Sequence, residues 1–495
     1  MTRLADLRFV CLRNAQDVEY NLFIKKIYLI IFFINLLAIY GHNMQLHVVM
    51  ISRLLSSMLF LALSSLLLSC TNSTKTPSVV KIVKHNNQYS LTVNGQPYDV
   101  KGVGLGYKDD ETVIALKDAG GNSFRTWELT HIEQELAIAE KLGLMVAVGI
   151  PTGKELLGFD YNDKEAVEKQ FRRVITAVEK YKNHPNILLW VINNEPNLLY
   201  DEQGQLKNVN PKVYAAMGDI IDHIHKIDPN HPVTFSLAGN NPKDIALVLK
   251  HAPNIDILSV QSYGSLVTLP DSIVQSNVDK PYMVTEFGPM GHWELPSTQW
   301  GREIEEPSAV KAAGMAKRMQ DVILDDKTGK IIGSFVFFWG QKQERTPTWY
   351  GMFNETGEQT ASIDELTRIW TGQYPANRAP QSKAITINNI QAVESIKLKP
   401  EQPATVKVQV SDTQGDLLTH QWVLMNEVEI RSQGGHFEAK PAALSLQILT
   451  SDVQPDYVEM TFNPPSENGE YRLFHYAYDG KNKVGNANIP FMVEN

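Results

Sequence analysis

The chain has 495 residues, of which 43% are hydrophobic and 20% are charged, and its formal net charge at pH 7 is -9. This composition is ordinary for a globular protein and argues against a disordered chain or a polytopic membrane protein. The negative balance, without a basic stripe anywhere, argues against a nucleic-acid-binding surface. Neutral or weakly charged substrates fit this balance better.

The chain has two cysteines, Cys11 and Cys70, too few for a disulfide framework and not in the spacing of a thiolate zinc site. Cys70 closes a stretch with one positive charge, an apolar run and then Leu68-Ser-Cys, which is the layout of a secretory signal. The final tripeptide resembles a bacterial lipobox, in which the cysteine is lipidated. We therefore predict a lipoprotein signal at 50–70, a polar tether at 71–85 and a membrane-anchored location at the cell envelope, periplasmic or on the outer-membrane surface. The alternative is a buried free cysteine in an apolar helix.

Residues 1–49 contain a second apolar run, from Ile27 to Tyr40, ahead of the signal. Two export segments in tandem serve no evident purpose. We therefore interpret 1–49 as a doubtful upstream extension and hypothesise that translation begins at Met50. An N-terminal peptide that begins before Met50 would contradict this hypothesis.

From Tyr89 onward, short apolar strands alternate with amphipathic helices, which is typical of a βα-repeat architecture. A hairpin with its turn at Asn94-Gly95 leads into the repeats, and the clearest amphipathic helix covers 164–182. Because eight units within about 290 residues match the size of a TIM barrel, we predict a (β/α)8 barrel over 86–372. The eight predicted strands are 100–104, 122–126, 145–149, 187–193, 233–238, 255–261, 282–285 and 334–338.

A polar run with two prolines at 373–384 interrupts the periodicity and predicts a linker. Beyond it, alternating strands without a helix signal predict a β-sandwich over 385–495. The segment from Ser411 to Trp422 resembles the immunoglobulin-like modules appended to secreted polysaccharide enzymes. The predicted fold class is therefore α/β, a TIM barrel followed by a small all-β immunoglobulin-like sandwich.

Two of the predicted barrel strands end in a single glutamate, Glu195 on strand four and Glu286 on strand seven. Function in a TIM barrel gathers at the C-terminal ends of the strands, where apolar walls favour the protonated form of a carboxyl group. Two carboxylates on separate strands can flank one bond, as glycoside hydrolysis requires. The alternative is that both glutamates make helix-cap or salt-bridge contacts.

The segments around these two glutamates resemble those of clan A glycoside hydrolases, especially families 2 and 5. The resemblance rests on Asn183-His-Pro-Asn-Ile-Leu-Leu-Trp-Val-Ile-Asn-Asn-Glu-Pro on strand four and on Thr285-Glu-Phe-Gly on strand seven. It implies that Glu195 is the catalytic acid/base and that Glu286 is the nucleophile. It also implies that Asn194 binds the 2-hydroxyl of the substrate.

The same resemblance assigns roles to three further side chains at strand ends. Arg125, on strand two, is expected to steady the nucleophile and keep it ionised. Tyr263, after strand six, is expected to hydrogen-bond Glu286, although Gln261 stands where the clan often has asparagine. Trp339, which closes strand eight, is expected to stack beneath the sugar next to the cleaved bond. The other predicted substrate contacts are Trp127, Trp293 and Trp349, for which packing at the barrel rim is the alternative, and His292. We interpret His292 as a polar rim contact rather than a metal ligand, since no second histidine lies at a ligand spacing.

These features predict a retaining β-glycoside hydrolase that acts on a poly- or oligosaccharide, such as β-glucan, by double displacement. The two carboxyl groups should then lie about 5–5.5 Å apart. Two alternatives remain open, a β-glucan transglycosylase with the same glutamate pair and a non-catalytic glycan-binding lipoprotein. No cofactor or metal is predicted, since the sequence contains neither an HExxH motif nor a P-loop. We expect a monomer whose partners are the saccharide and, through the lipid anchor, a membrane.

Overall fold

The computed structural model describes residues 76–432 and 434–495 of the chain. The predicted upstream extension, the signal with its lipidation site Cys70, and the first part of the tether lie outside the described residues. Within the described residues, no helix combines the length and hydropathy that a bilayer span requires.

Three short antiparallel strands precede the barrel: β1 (Val80–His85), β2 (Gln88–Val93) and β3 (Gln96–Pro97). The predicted turn at Asn94-Gly95 is confirmed, and its φ angles of 51° and 79° are those that a two-residue hairpin needs. The predicted tether over 71–85 is wrong at its C-terminal end, because residues 80–85 form β1 and pair with β2. A β-branched run followed by two turn-forming asparagines explains this strand.

Eight parallel strands in the described chain then pair in a closed barrel, in the order β10-β11-β4-β5-β6-β7-β8-β9. They are β4 (Gly102–Leu105), β5 (Ser123–Arg125), β6 (Met145–Gly149), β7 (Ile187–Asn194), β8 (Val233–Ala238), β9 (Leu258–Gln261), β10 (Tyr282–Phe287) and β11 (Ile331–Trp339). All eight predicted strands are present. Their near-continuous burial is typical of parallel strands that are covered on both faces.

One α-helix follows each barrel strand in the described chain. The helices are α1 (Asp110–Asp118), α2 (Ile132–Leu142), α3 (Lys164–Tyr181), α4 (Lys212–Ile227), α5 (Pro242–His251), α6 (Leu269–Ser276), α7 (Ser308–Arg318) and α8 (Ala361–Thr371). The predicted helix at 164–182 is α3, which buries Val174, Ile175 and Val178 and begins at the side-chain cap of Asp163. The prediction of a (β/α)8 barrel is therefore confirmed.

Two antiparallel sheets follow the barrel, one of four strands in the order β12-β14-β18-β17 and one of five strands in the order β13-β20-β19-β15-β16. Side chains of both sheets, including Val406 and Leu473, share one apolar core, so the predicted all-β region is confirmed. The first strand begins at Gln381, inside the segment predicted as linker. The strands are β12 (Gln381–Ile387), β13 (Lys397–Leu398), β14 (Ala404–Ser411), β15 (Thr419–Asn426), β16 (Ala443–Leu444), β17 (Gln447–Gln454), β18 (Tyr457–Asn463), β19 (Gly469–Tyr478) and β20 (Val484–Val493).

A buried polar network joins the barrel to the sandwich. The side chain of Glu305, which is 0% exposed, forms an ion pair with Lys311 on α7 at 2.5 Å. Its other oxygen accepts hydrogen bonds from Asn488 on β20 at 2.6 Å and from Thr346 at 2.5 Å. Because buried charges are tolerated only when they are paired and hydrogen-bonded, this network requires the two folded regions to be present together.

The Glu305→Ala variant should lose about 3–5 kcal/mol of unfolding free energy, because Lys311 is left as a buried charge without its carboxylate. Chemical denaturation followed by tryptophan fluorescence measures this loss. The exposed Glu179→Ala on α3 is the matched control and should unfold like the wild type. The double variant Glu305→Leu/Lys311→Met, which removes both charges, should recover much of the loss. A Glu305→Ala variant as stable as the control would show that this network contributes little to the unfolding free energy.

Candidate active site

The C-terminal ends of the barrel strands open into a cleft of about 1070 Å³. Both predicted catalytic glutamates line this cleft, together with Asn194, Tyr263 and Trp127. Glu286 lies at the end of β10 and Glu195 directly after the end of β7, so β8 and β9 separate their two strands in the barrel. The barrel topology thus brings two carboxyl groups that are distant in sequence into one cavity.

Glu286 is 5% exposed and receives hydrogen bonds from four side chains. Its Oε1 accepts from Trp127 Nε1 at 2.7 Å, from Gln261 Nε2 at 2.9 Å and from an Arg125 guanidinium nitrogen at 3.1 Å. Its Oε2 accepts from the Tyr263 hydroxyl at 3.1 Å. Burial and the charge of Glu286 raise the pKa of Tyr263 well above its usual range, so this hydroxyl remains a donor. All four contacts offer a proton to the carboxylate and hold it in one orientation.

Arg125 lies beneath the cleft floor and is 0% exposed. Besides Glu286, its guanidinium donates to the Thr285 carbonyl at 2.9 Å and to Asn194 Oδ1 at 2.9 Å. Arg125 does not line the cleft and so makes no direct substrate contact, and its guanidinium contacts Glu286, as expected of a residue that steadies the nucleophile. Its contacts position the nucleophile candidate and the amide of Asn194, whose Nδ2 group is left to face the cleft.

Glu195 has a backbone φ of 58°, and Asn193 two residues earlier has a φ of 125°. These left-handed conformations, which are costly for residues other than glycine, turn the chain at the end of β7. The Glu195 N–H donates to the Ser236 carbonyl at 2.7 Å, which ties the turn to β8. Burial raises the pKa of Glu195, and the charge of Glu286 raises it further, to about 7. Glu195 can therefore hold a proton near neutral pH, as a general acid must.

Aromatic side chains form one wall of the cleft. Trp127, Phe337, Phe338 and Tyr263 line it together with Trp293, which is 59% exposed. Trp127 packs on both phenylalanines, with ring centroids 5.7 and 5.6 Å apart. Sugars present apolar C–H faces, so this wall is chemically suited to a pyranose.

His292 also lines the cleft, as its place after strand seven predicts. Its ring lies 4.9 Å from the Trp293 ring, and its Nε2 lies 3.7 Å from Glu344 Oε1. His292 is therefore part of a polar rim beside the aromatic wall.

The structure contradicts two of the predicted aromatic contacts. Trp339 is 0% exposed, donates to the Thr112 carbonyl on α1 at 2.9 Å and packs in the core between barrel and helices. Trp349 is 1% exposed and donates to the Met290 carbonyl at 2.9 Å. Each indole N–H thus has a backbone partner away from the cleft, and Phe337 and Phe338 line the cleft in place of Trp339.

Sequence reasoning missed two groups of residues at the site. Gln261 belongs to the site, because its Nε2 group donates to Glu286 Oε1 at 2.9 Å and to Asn194 Oδ1 at 2.5 Å. The second group comes from the sandwich, whose residues Gly434 to Phe437 line the cleft. A polar residue that ends an apolar strand was the available signal for Gln261, whereas no local pattern identifies the sandwich residues.

Residues 107–294 match the family model described as glycosyl hydrolases family 2, TIM barrel domain. The barrel resembles that of family 2 glycosyl hydrolases. Family 2 is one of the two families that the strand motifs resemble, and the match includes Glu195 and Glu286.

Individual relatives are similar over part of their length. The β-glucuronidase of Chlorocebus aethiops is 27% identical over 185 residues, which cover 35% of this chain and 26% of that protein. The β-glucuronidase of Paenibacillus borealis is 23% identical over 325 residues, which cover 57% of this chain and 51% of that protein. A solved calcium-binding mutant of Bacteroides uniformis β-glucuronidase 2 aligns over 83% of this chain and 47% of its own, with a TM-score of 0.46 and 16% identity.

The chain spans about a quarter to a half of the length of the two curated relatives. The family match and the two curated relatives agree with the resemblance of the strand motifs to family 2.

Proposed function

We propose that the protein is a retaining β-glycoside hydrolase. The observation that carries this proposal is the contrast between its two cleft carboxyl groups. Glu286 is held by four proton donors, whereas Glu195 has a pKa raised to about 7 by burial and by Glu286. Two carboxyl groups with different environments in one cleft can divide the roles of nucleophile and acid.

In the first step, Glu286 attacks the anomeric carbon and forms a glycosyl-enzyme bond while the glycosidic C–O bond breaks. Glu195 donates its proton to the departing oxygen. In the second step, Glu195 removes a proton from water, which attacks the same carbon and releases Glu286 as a carboxylate. Asn194, fixed through its Oδ1 by Arg125 and Gln261, offers its Nδ2 group to a hydroxyl of the bound sugar.

The substrate in this proposal is a carbohydrate with a β-linked sugar at its non-reducing side. Ligand pockets are typically about 300–1,000 Å³, and the cleft of about 1070 Å³ exceeds that range. Its size therefore supports a substrate longer than one sugar ring, such as an oligosaccharide. The names of the relatives make a β-glucuronide one candidate among the sugars to be tested.

The stereochemistry of the reaction tests this proposal. A panel of 4-nitrophenyl β-glycosides identifies an accepted sugar, and proton NMR then follows the first minutes of its hydrolysis. We expect the β-anomer to appear first, with the α-anomer growing only by mutarotation, because two displacements at one carbon restore its configuration. The α-anomer as the first product would show a single displacement and refute the proposed mechanism.

A further inference from the structure

One wall of the cleft belongs to the sandwich rather than to the barrel. The loop between β15 and β16, whose described residues 427–432 and 434–442 are here called the sandwich loop, places Gly434, Gly435, His436 and Phe437 along the cleft. Phe437 is 92% exposed there. The all-β region therefore contributes side chains to the same cavity as the two glutamates.

The sandwich loop is fastened to the barrel by buried charge pairs. Arg345, in the segment after β11, forms ion pairs with Glu438 at 3.0 Å and with Glu303 at 3.2 Å, and its backbone N–H donates to Glu438 Oε1 at 2.6 Å. The Glu438 side chain is 0% exposed. Lys342 donates to the Gly435 carbonyl at 2.7 Å. Contacts of this kind hold the loop in place, so its position over the cleft is part of the fold.

At Gly434 the sandwich loop reaches the Glu195 side of the barrel mouth, although the segment that fastens it follows β11, the neighbour of β10. A Cβ atom on Gly434 would come within 3.2 Å of side-chain carbons of Leu156, after β6, and Leu198, after β7. Strand β6 is the barrel neighbour of β7, after which Glu195 follows. Strand β10, which carries Glu286, is four strands from β6 in either direction around the barrel. Because the acid/base protonates the departing oxygen, the leaving group of a bound glycoside occupies this side.

Two nitrogen groups on this side have no partner among the described residues. Lys154, after β6, lines the cleft, and its charge acts on the Glu195 carboxyl, although no hydrogen bond or ion pair joins its ammonium to any residue in 76–432 or 434–495. His436 Nε2 is buried and likewise without a hydrogen-bond partner there. The nearby cations differ, since Lys342 lies 3.4 Å from Glu344 and Arg345 is paired twice. The carboxylate of Glu128 also lines the cleft but forms no ion pair with Lys154.

We propose that Lys154 and His436 form a subsite for an anionic group on the leaving sugar, so that the favoured substrate carries a carboxylate or sulfate next to the cleaved bond. This inference rests on the proposed function, because it places the leaving group on the Glu195 side. While Glu195 holds its proton, the Lys154 ammonium has no ion-paired carboxylate among the described residues and gains most from a charged acceptor. An imidazole nitrogen without a partner can donate to the same group. The sandwich loop thereby takes part in choosing the substrate.

The test uses three disaccharides with the accepted sugar and one linkage, whose leaving sugar is glucose, glucuronate or glucose 6-sulfate. We expect kcat/KM for at least one anionic disaccharide to be about tenfold higher than for the neutral one, as a charge-assisted hydrogen bond provides. A higher kcat/KM for the glucuronate disaccharide alone would indicate a carboxylate subsite, and a higher value for the 6-sulfate disaccharide alone would indicate a sulfate subsite. Equal kcat/KM values for all three disaccharides would overturn the proposal.

Substitutions at Lys154 and His436 test whether these residues cause the preference for an anionic leaving sugar. Lys154→Met should abolish the tenfold preference while Lys154→Arg keeps it, and His436→Ala should reduce it about threefold by removing one donor. The control Lys169→Met, at an exposed position on α3, should leave the ratio unchanged. A Lys154→Met variant that keeps the full preference would overturn the assignment.

A failure of the proposed function gives a different result. If no glycoside is hydrolysed, calorimetric binding of the same three disaccharides replaces the rate measurement. Tighter binding of an anionic disaccharide that is lost in Lys154→Met would support the subsite although hydrolysis is refuted. Binding that is equal for all three would overturn the subsite as well.

Discussion

The Glu286→Ala variant should lower kcat on an aryl β-glycoside by on the order of 10⁵-fold, because it removes the group that forms the glycosyl-enzyme bond. The isosteric Glu286→Gln should be similarly inactive but should fold like the wild type. Its amide fills the same space, although the four donors around Glu286 then face a weaker acceptor. Thermal unfolding of this variant separates a loss of chemistry from a loss of structure.

Covalent trapping identifies the nucleophile directly. A 2-deoxy-2-fluoro glycoside of the accepted sugar should accumulate as a glycosyl-enzyme, and peptide mass spectrometry should place the added mass on Glu286. Added azide should restore turnover to Glu286→Ala and give the α-glycosyl azide, since one displacement inverts the anomeric carbon. Labelling of another residue, or kcat of Glu286→Ala within tenfold of the wild type, would refute the assignment.

The barrel was predictable because its signals are local. Each strand is a short apolar run between polar turns, and eight such runs in order suffice for the architecture. The positions of Glu195 and Glu286 follow from the same pattern, because a single acid at the end of an apolar strand must lie in the barrel mouth. The Asn94-Gly95 turn is equally local, since its backbone conformation is set by the two residues themselves.

The aromatic contacts were less predictable, because the direction of a side chain at a strand end depends on the twist of the barrel. Trp339 and Phe338 are neighbours in sequence, yet only Phe338 reaches the cleft, while Trp339 packs against α1. Both residues satisfy the same pattern of an aromatic at the end of strand eight. The Trp339 indole donates to the Thr112 carbonyl, a hydrogen-bond partner 227 positions away in the sequence, which no local pattern indicates.

No local sequence pattern predicts that the sandwich contributes residues to the cleft. Arg345 and Glu438 are 93 positions apart and belong to different folded regions. Each resembles an ordinary surface charge in the sequence, and only the fold shows that the pair is buried. The resemblance of the all-β region to an appended module therefore does not describe it fully, because residues 434–437 of that region also line one side of the cleft.

The Glu195→Ala variant should separate the two steps of the reaction. With a poor leaving group, kcat/KM should fall about 10²–10⁴-fold, the usual contribution of a general acid. With 2,4-dinitrophenolate, which leaves without a proton, the first step should remain fast and the intermediate should accumulate. Azide should then speed the second step and give the β-glycosyl azide, the opposite anomer from that expected for Glu286→Ala. The control Glu128→Ala, which removes another cleft carboxylate, should give no azide product.

The pH profile gives an independent measure of the same group. Glu195 must be protonated in the first step, and burial and Glu286 raise its pKa to about 7. For the wild type, kcat/KM should therefore be high below pH 7 and fall as the pH rises through about 7 and the proton is lost. In Glu195→Ala this alkaline decline should disappear with the dinitrophenyl substrate, while Glu128→Ala should keep it. An alkaline decline that persists in Glu195→Ala would mean that another group supplies the proton, and Glu195 would lose its role as acid.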